Sequence, residues 1–537
     1  MSRGPDRRVF LKQASLLAAA APFALSSSAA AGWLPGRAFG REPIADTTTG
    51  KVRGFVVDGI NVFRGIPYGG DTSGKNRFMP PTRVQPWTGV RDALEWGHVA
   101  PQSTAPDTSE YTSMVRWTEL PGGIGEDCLV LNVYTPALKD GGKRPVMFSI
   151  HGGGFTSGTS GNPVFDGVAL AKLGDVILVT INHRLGILGY LELGAFAPEF
   201  EGSGNVGIMD IVQALQWVQG NIENFGGDPS RVMIFGQSGG ARKTSHLLAM
   251  PSAKGLFHRA AIQSGAALRS GSRESANQSA ERVLTQLGLT KDRVRELQNV
   301  PVETLLGLQG GQFAPFVDGK VVPSHPFDPT APAVSADVPV IVGSNLHDSG
   351  FQNPNFALDE AGLLAQAKTM FGDGAEQVLA AYRAADPQAT PFKLNARMST
   401  DRGRRRDAIT LAERKAALGR APAYLYLLTY ESVPFGGKFG SVHGTEMPLF
   451  YHNLDRWPIA GTGAVAQALA DRMAGAYIAF AKTGVPTIPG IGAWPAYDAA
   501  RQATMIFDAN TRVEHAPHRE LLQLVEQHAV APAAPRG

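Results

Sequence analysis

Cysteine is almost absent from this chain, which has one, Cys128, among its 537 residues. A single cysteine excludes an intramolecular disulfide framework. Cys128 lies in "GEDCLVLNVYTP", where alternating apolar residues indicate a strand and a buried structural thiol. A nucleophilic role is the alternative interpretation of a lone cysteine. No metal-ligand spacing such as HExxH is present either, so the sequence predicts neither a metal site nor an organic cofactor.

A strong excess of charge of one sign is also missing, since 50 basic residues face 47 acidic ones and the formal net charge is +3. All of that net charge falls within residues 1–31. The charged residues of this segment are Arg3, Asp6, Arg7, Arg8 and Lys12. The rest of the chain is therefore about neutral, and this balance argues against a nucleic-acid partner.

The N-terminal segment "DRRVFLKQASLLAAAAPFALSSSAAA" places Arg7 and Arg8 before a short apolar stretch and a run of small residues. This pattern resembles a twin-arginine export signal. A membrane anchor is the alternative, but the stretch is too short and too rich in Ala and Ser to span about 30 Å of hydrocarbon. We expect cleavage near Ala31, which gives a signal over 1–31 and one domain over 32–537. A periplasmic or secreted protein, with no stable membrane insertion after cleavage, follows.

A composition of 43% hydrophobic and 18% charged residues predicts a folded protein with a large core. Apolar runs such as "PVMFSI", "DVILVTIN", "RVMIF", "RAAIQ", "VPVIVG", "AYLYLLTY" and "TMIFD" alternate with helix-like segments. This alternation predicts an α/β fold with a mostly parallel sheet covered by helices on both faces. The stretch "GKVRGFVVDGINVFRGIPYGG" indicates a small antiparallel meander, and residues 270–316 a helical insertion. Ligands in such folds bind beyond the carboxyl ends of the strands.

One serine stands where a predicted strand meets a predicted helix, in "VMIFGQSGGARKTSHLLAM". Gly236-Gln237-Ser238-Gly239-Gly240 fits the pattern Gly-x-Ser-x-Gly in the context that a nucleophile requires. Glycines two residues before and after the serine avoid a clash in the sharp turn. Ser238 is therefore the candidate nucleophile, and a serine without a catalytic role in a glycine-rich turn is the alternative.

The stretch "SIHGGGFTSG" ends an earlier predicted strand with consecutive glycines. A serine nucleophile needs donors for the oxyanion that develops on the substrate. The backbone amides of Gly153, Gly154 and Gly239 are the candidate donors. A phosphate cradle is the alternative, but the Lys and Ser/Thr of a P-loop are missing.

With these motifs in place, the chain resembles the type-B carboxylesterase and cholinesterase family of α/β-hydrolases over nearly its whole length after residue 31. The motifs that carry the resemblance include "FRGIPYG", "EDCLVLNVYTP", "HGGGF", "NHRLGILGY", "GLFHRAAIQSG", "SVHGTEMPLFY" and "AFAKTGVP". The resemblance implies an α/β-hydrolase fold with helical insertions over the active site. It also implies a serine carboxylesterase that acts on a small-molecule ester without a cofactor.

The resemblance further implies that an acid and a histidine follow Ser238 in the chain. His443 in "SVHGTEMPLFY" matches the family's catalytic histidine, although His452 lies close by. Asp348 in "VGSNLHDSGF" aligns with the position where the family usually has glutamate, and a turn aspartate is the alternative. Ser264 in "IQSG" matches a family serine that hydrogen-bonds the acid.

Some residues depart from the family pattern or match it in a structural role. Gln237 stands where the family often has glutamate, which removes a negative charge beside the nucleophile. Ala100 stands where many members have a cysteine that pairs with the one matching Cys128. Arg64 and Glu126 match a family salt bridge, which we expect to be structural.

Two other functions remain open from sequence. The same triad would serve a hydrolase of amides, carbamates or one bulky specialised ester. The family also includes non-catalytic binding proteins. Pocket residues are expected in "TSEYTSMVRWTEL", "FAPFVDG" and "HDSGFQNPNF". The sequence indicates no oligomeric state.

Overall fold

A twisted sheet of eleven strands runs through the centre of the structure, a computed structural model that describes residues 42–104, 107–352 and 354–530. The predicted export signal lies outside these residues. In chain order the strands are β1 (Ile44–Thr47), β2 (Gly50–Arg53), β3 (Phe55–Val57), β4 (Ile60–Pro67), β5 (Val90–Asp92), β6 (Val130–Thr135), β7 (Arg144–Ile150), β8 (Ile177–Ile181), β9 (Gly227–Gln237), β10 (Arg259–Gln263), β11 (Val340–Asn345), β12 (Ala423–Leu428), β13 (Thr487–Ile488), β14 (Gly492–Ala493), β15 (Ala503–Phe507) and β16 (Arg512–His515).

The strand order in the large sheet is β16-β15-β12-β11-β10-β9-β7-β8-β6-β4-β3. Strands β8, β7, β9, β10, β11, β12 and β15 are parallel to their neighbours in this series. The seven apolar runs predicted as strands all contribute to this parallel part, so the predicted α/β architecture is confirmed. The carboxyl ends of β7, β9, β10, β11 and β12 consequently open on the same edge of the sheet.

The N-terminal strands differ in part from the predicted meander. Strands β1 and β2 form an antiparallel hairpin, and β5 joins it in a separate three-stranded sheet. Strands β3 and β4 are also antiparallel, but they extend the edge of the large sheet through β6. Ile60 and Val62 of β4 pack in one apolar cluster, and Phe63 and Ile66 pack in the other, so β4 is buried on both faces in this position.

Helices cover both faces of the sheet. They are α1 (Glu110–Val115), α2 (Val168–Gly174), α3 (Gly186–Tyr190), α4 (Val206–Asn221), α5 (Gly239–Ala249), α6 (Arg273–Gln286), α7 (Val302–Leu306), α8 (Glu360–Phe371), α9 (Ala375–Ala385), α10 (Pro391–Arg402), α11 (Arg404–Ala417), α12 (Glu446–Tyr451), α13 (Ala464–Thr483) and α14 (Arg519–His528). Among the described residues, none of these helices combines the length and apolar character needed to cross a bilayer.

Successive residues of β7 face opposite halves of the core, as the strand period of two requires. Phe148 and Ile150 pack in one apolar cluster with side chains of α4, α5 and α11. Met147 belongs to a second cluster that includes α2, α12 and α13. Because both faces are buried, the central strands are apolar throughout, which is why their sequences appear as continuous runs.

The predicted insertion after residue 270 is helical and contains α6 and α7. Its apolar residues, including Ala280, Val283 and Leu297, pack in a separate cluster with residues of α3 and the segment that follows it. This insertion has its own small core and lies beside the main one.

Candidate active site

Ser238 lies at the turn between β9 and α5, with backbone angles φ 58° and ψ −118°. Non-glycine residues rarely adopt a positive φ, and such strain is typical of functional turns. A Cβ atom at Gly236 would lie 2.6 Å from the carbonyl oxygen of Ile150, and one at Gly240 only 2.0 Å from it. This close approach of β7 accounts for glycine at both positions and leaves Ser238 at the carboxyl edge of the sheet.

The glycine loop after β7 passes directly beside the residue that follows the serine. Gly153 and Gly154 both have positive φ, 81° and 62°. A Cβ atom on Gly239 would lie 2.5 Å from the amide nitrogen of Gly154. Within the described chain, no hydrogen bond uses the amides of Gly153 or Gly154. The structure thus brings the three proposed oxyanion donors together beside Ser238.

His443 and Asp348 meet at the same edge, although 95 positions separate them. The Nδ1 atom of His443 lies 2.5 Å from Oδ1 of Asp348. The other carboxylate oxygen, Oδ2, accepts a hydrogen bond of 3.1 Å from the backbone amide of Asn345. Asp348 is fully buried in the turn after β11, and His443 lies in the segment after β12. His452, the neighbouring histidine, instead pairs with Asp471 at 2.6 Å in an exposed position.

The imidazole of His443 is held from several sides. The ring of Phe351 stacks on it at a centroid distance of 4.4 Å and an angle of 12°. The hydroxyl of Tyr111 donates a 3.0 Å hydrogen bond to the backbone oxygen of His443. The amide nitrogen Nε2 of Gln237 lies 3.2 Å from Nε2 of the ring. In the described chain no hydrogen bond joins Ser238 Oγ to His443, and such contacts are often longer in a free enzyme.

A second buried carboxyl, Glu446, lies behind the Asp348–His443 pair. Its Oε1 accepts a 2.7 Å hydrogen bond from Ser264 Oγ, and its Oε2 accepts one of 2.5 Å from Asn345 Nδ2. The resemblance implies a hydrogen bond from Ser264 to the acid, but in the described residues the Ser264 hydroxyl bonds to Glu446 and not to Asp348.

Burial and charge set the protonation of these groups. Burial lowers the pKa of His443, and the charge of Arg404 lowers it further, while Asp348 opposes both effects. Burial opposes ionisation of Asp348, but the interaction with His443, which includes a hydrogen bond, and the charge of Arg404 prevail and lower its pKa. Burial, followed by the charge of Asp348, raises the pKa of Glu446 to about 7. The arrangement favours a neutral imidazole beside an ionised Asp348, which is the state that a general base needs.

A pocket of about 490 Å³ opens above Ser238 and His443. Two of the three stretches expected to line it do so, through Tyr111 and Trp117 in the first and Phe351 in the third. The stretch "FAPFVDG" does not line it; Phe316 is buried and Asp318 lines a different pocket beside α6. The predicted helical cover over the active site comes from α1 and its flanking loop, and residues of the insertion after 270 are absent from the described lining.

The predicted salt bridge between Arg64 and Glu126 is wrong. Glu126 forms a bidentate pair with Arg77, with nitrogen to oxygen distances of 2.7 and 2.8 Å. Arg77 also donates to the carbonyl oxygen of Val300 at 2.6 Å. Arg64 instead stacks on Trp96, with its guanidinium carbon 4.2 Å from the ring centroid. The turn after residue 73 brings Arg77 to Glu126, and this approach was not evident from the sequence.

The predicted burial of Cys128 is confirmed, since the residue is fully buried two positions before β6. Burial raises the pKa of its thiol, so the reactive thiolate is disfavoured. Ala100 is also buried. In the described ranges, no group of three or more His, Cys, Asp or Glu side chains is arranged to hold a metal ion.

Sequence reasoning missed several residues of this site. Glu446 is three residues after His443 inside the quoted motif "SVHGTEMPLFY", so its position near the histidine was a usable signal. Arg242 likewise lies inside the quoted elbow stretch, one helical turn after Ser238. Arg404 had no local signal, because it reaches the site from the start of α11.

Comparison with known proteins identifies relatives along most of the chain. A family model described as "Carboxylesterase family" matches residues 41–525. The para-nitrobenzyl esterase of Bacillus subtilis (strain 168) is 32% identical over 501 residues, which cover 89% of this chain and 98% of the relative. The phenmedipham hydrolase of Pseudarthrobacter oxydans is 33% identical over 492 residues, which cover 86% of this chain and 94% of the relative.

Solved structures agree with the sequence relatives. A carboxylesterase of Geobacillus stearothermophilus superposes with a TM-score of 0.77 at 35% identity, covering 90% of this chain and 99% of that one. A thermophilic para-nitrobenzyl esterase gives a TM-score of 0.77 at 31% identity, and the match covers 90% of this chain and 100% of the esterase. These neighbours share the α/β-hydrolase architecture described above.

Proposed function

The chain belongs to the carboxylesterase family and is an ester-hydrolysing enzyme, and from this premise we propose that Ser238, His443 and Asp348 are its catalytic triad. The observation that carries the proposal is the 2.5 Å contact between His443 Nδ1 and Asp348 Oδ1 in a pocket that Ser238 also lines. The strained backbone of Ser238 supports the role of nucleophile.

In the first half of the reaction, Ser238 Oγ attacks the ester carbonyl while His443 Nε2 takes the hydroxyl proton. Asp348 accepts the Nδ1 hydrogen, which leaves Nε2 free as the base and stabilises the imidazolium that forms. The negative charge that develops on the carbonyl oxygen is bound by the amides of Gly153, Gly154 and Gly239.

The tetrahedral intermediate then collapses, and His443 gives its proton to the leaving alcohol. The acyl group stays bonded to Ser238 until a water, deprotonated by His443, attacks the acyl carbon. The bond from that carbon to Ser238 Oγ then breaks, His443 returns the proton to Oγ, and the acid leaves. Stacking against Phe351 limits rotation of the imidazole between the two half-reactions, and the hydrogen bond from Tyr111 holds the backbone of His443. The side chain of Ser264 acts on this chemistry only indirectly, through its hydrogen bond to Glu446.

The test is hydrolysis of 4-nitrophenyl esters from acetate to a long acyl chain, with Ser238→Ala beside the wild type. We expect activity that falls at least about a thousandfold in the variant, because the nucleophile is lost. Activity that persists in the variant would refute the role of Ser238. A matching carbamate and amide would show whether the same site also serves the alternative substrates.

We also propose export through the twin-arginine pathway, which would make the enzyme periplasmic or secreted. The support is the pattern around Arg7 and Arg8, together with a single cysteine that requires no oxidative folding. Replacing both arginines with lysine should leave the enzyme in the cytoplasmic fraction, whereas Arg3→Lys should not. Equal export of both variants would contradict the proposal.

A further inference from the structure

An arginine that makes no side-chain hydrogen bond or ion pair with the described residues lies in the active-site pocket. Arg242 is on α5, one turn after the nucleophile, and its backbone amide donates to the oxygen of Ser238 at 3.1 Å. Its side chain lines the pocket and is exposed there. Within the described chain, its guanidinium makes no hydrogen bond and no ion pair. Desolvation by the surrounding protein, followed by the charge of Arg404, lowers its pKa.

A second arginine lines the same pocket. Arg404 uses Nη1 for a 2.6 Å hydrogen bond to the backbone oxygen of Ser264, and its Nε is 3.8 Å from Asp348 Oδ1. Its guanidinium carbon lies 5.5 Å from the ring centroid of Phe351. In the described residues its Nη2 makes no hydrogen bond. The charge of Arg404 lowers the pKa of Arg242, so the two cations act on each other directly.

The carboxylates near these arginines form no hydrogen bond with Arg242 in the described residues. Asp107 also lines it, but accepts hydrogen bonds from the Thr112 hydroxyl and from the Ser109 amide at 2.9 Å. Asp348 is occupied by His443. Asp407 attracts both arginines through space without an ion pair, and burial raises its pKa to about 6. Among the described residues, the Arg242 guanidinium on the wall nearest the nucleophile is therefore left without a hydrogen-bonded or ion-paired carboxylate.

This placement is unfavourable for the free protein. A cation in the first turns of a helix opposes the helix dipole, and two neighbouring guanidinium groups repel each other. A bound anion reverses both effects. The planar fork of an arginine fits a carboxylate with two parallel hydrogen bonds, and such charge-assisted bonds are about twice as strong as neutral ones.

We propose that Arg242 and Arg404 bind an ionised carboxylate of the substrate, so that the preferred esters carry a second, free acid group. Monoesters of dicarboxylic acids and esters of hydroxy acids both have this chemistry. The proposal rests on the function assigned above, because the carboxylate must be bound while the ester carbonyl reaches Ser238. The pocket volume of about 490 Å³ accommodates an ester of this size.

The experiment compares two matched pairs of esters. Mono-4-nitrophenyl adipate and its methyl ester place the charge or its neutral counterpart on the acyl side. The 4-acetoxybenzoate anion and its methyl ester place it on the alcohol side. The enzymes are wild type, Arg242→Gln, Arg242→Lys and Arg406→Gln. Arg406 is the matched control, since it lies on α11 with its side chain paired to Glu526 at 2.6 Å and outside the pocket lining.

In at least one pair, the wild type should prefer the charged ester in kcat/KM, and the preference should fall with added salt. Arg242→Gln should lower kcat/KM for that charged ester about tenfold to a hundredfold, and for its methyl ester less than about threefold. Arg242→Lys should lose less, because it keeps the charge but not the fork. Arg406→Gln should change both esters by less than about threefold.

Absence of a preference in both pairs, or an equal loss of both esters in Arg242→Gln, would overturn the proposal. If Arg242→Gln does not fold, the test is to compare inhibition of the wild type by adipate with inhibition by neutral adipamide. Equal inhibition by the two compounds would refute anion binding. Failure of the enzyme function itself would look different, because neither methyl ester would then be cleaved in a Ser238-dependent manner.

Discussion

Replacing Asp348 with asparagine tests which of two buried carboxyls orients His443. In the native site, Asp348 Oδ1 accepts the Nδ1 hydrogen of His443, while Oδ2 accepts the amide hydrogen of Asn345. An asparagine would keep its side-chain oxygen toward the Asn345 amide, because only the oxygen can accept there. Its NH₂ group would then face Nδ1 and force the hydrogen of the imidazole onto Nε2. The base would be protonated at the atom that must receive the Ser238 proton.

The expected loss in kcat is about a thousandfold to ten-thousandfold, which corresponds to about 4–5.5 kcal/mol of transition-state stabilisation. Glu446→Gln is the matched control, since it removes the other buried carboxyl while keeping its shape. We expect this control to retain kcat within about tenfold. Its hydrogen bonds go to Ser264 and Asn345, and none is to His443.

Steady-state hydrolysis of a neutral 4-nitrophenyl ester measures both variants, with thermal unfolding to show that each is folded. If Asp348→Asn keeps nearly full activity while Glu446→Gln loses it, the acid of the triad is Glu446 and the reasoning from distance is wrong. If both lose activity equally, the two carboxyls act as one unit and no single acid can be assigned.

Three further results are expected. Gly239→Ala should lower kcat at least about tenfold, because the added Cβ would lie 2.1 Å from the backbone oxygen of Gly154 in the glycine loop. Gly463→Ala is the control, since the space around Gly463 is open, and it should leave kcat unchanged. Equal kcat values for the two variants would contradict the prediction. Arg404→Gln should shift the acidic limb of the pH profile of kcat/KM to higher pH. Burial and the charge of Arg404 both hold the pKa of His443 below its usual 6.5, and the substitution removes the charge. A limb that stays in place or moves to lower pH would refute the assignment of this limb to His443. Cys128→Ala should leave kcat unchanged and cost about 1 kcal/mol in the free energy of unfolding, measured by denaturant titration, because only a small buried side chain is lost.

Local patterns explain why much of the fold was predictable. The central strands are buried on both faces, so each appears as a short apolar run bounded by turn residues. The nucleophile turn was predictable for a similar reason, because the steric requirement at Gly236 and Gly240 acts within two residues of Ser238. The pairing of β3 and β4 with the large sheet was not predicted, since an antiparallel hairpin has the same pattern alone or at a sheet edge.

Pairings between residues far apart in the chain were harder to predict from the sequence. The resemblance paired Glu126 with Arg64, whereas the folded chain pairs it with Arg77. Glu446 lies in the same motif as His443, but its importance follows from Asn345, which is 101 positions away. Arg242 was visible in the elbow stretch, yet its lack of a partner is a property of the folded pocket.

The sequence by itself determined the order of strands and helices, the turn that exposes Ser238 and the loop that carries the glycine amides, because these depend on side-chain periodicity and on contacts within a few residues. Only the tertiary structure decided which acid reaches His443 and which cations line the pocket. Those contacts depend on the order of β9, β10, β11 and β12 in the sheet, which brings the ends of distant segments to one edge. Burial at that edge then sets the charge of each group, and no residue carries that information alone.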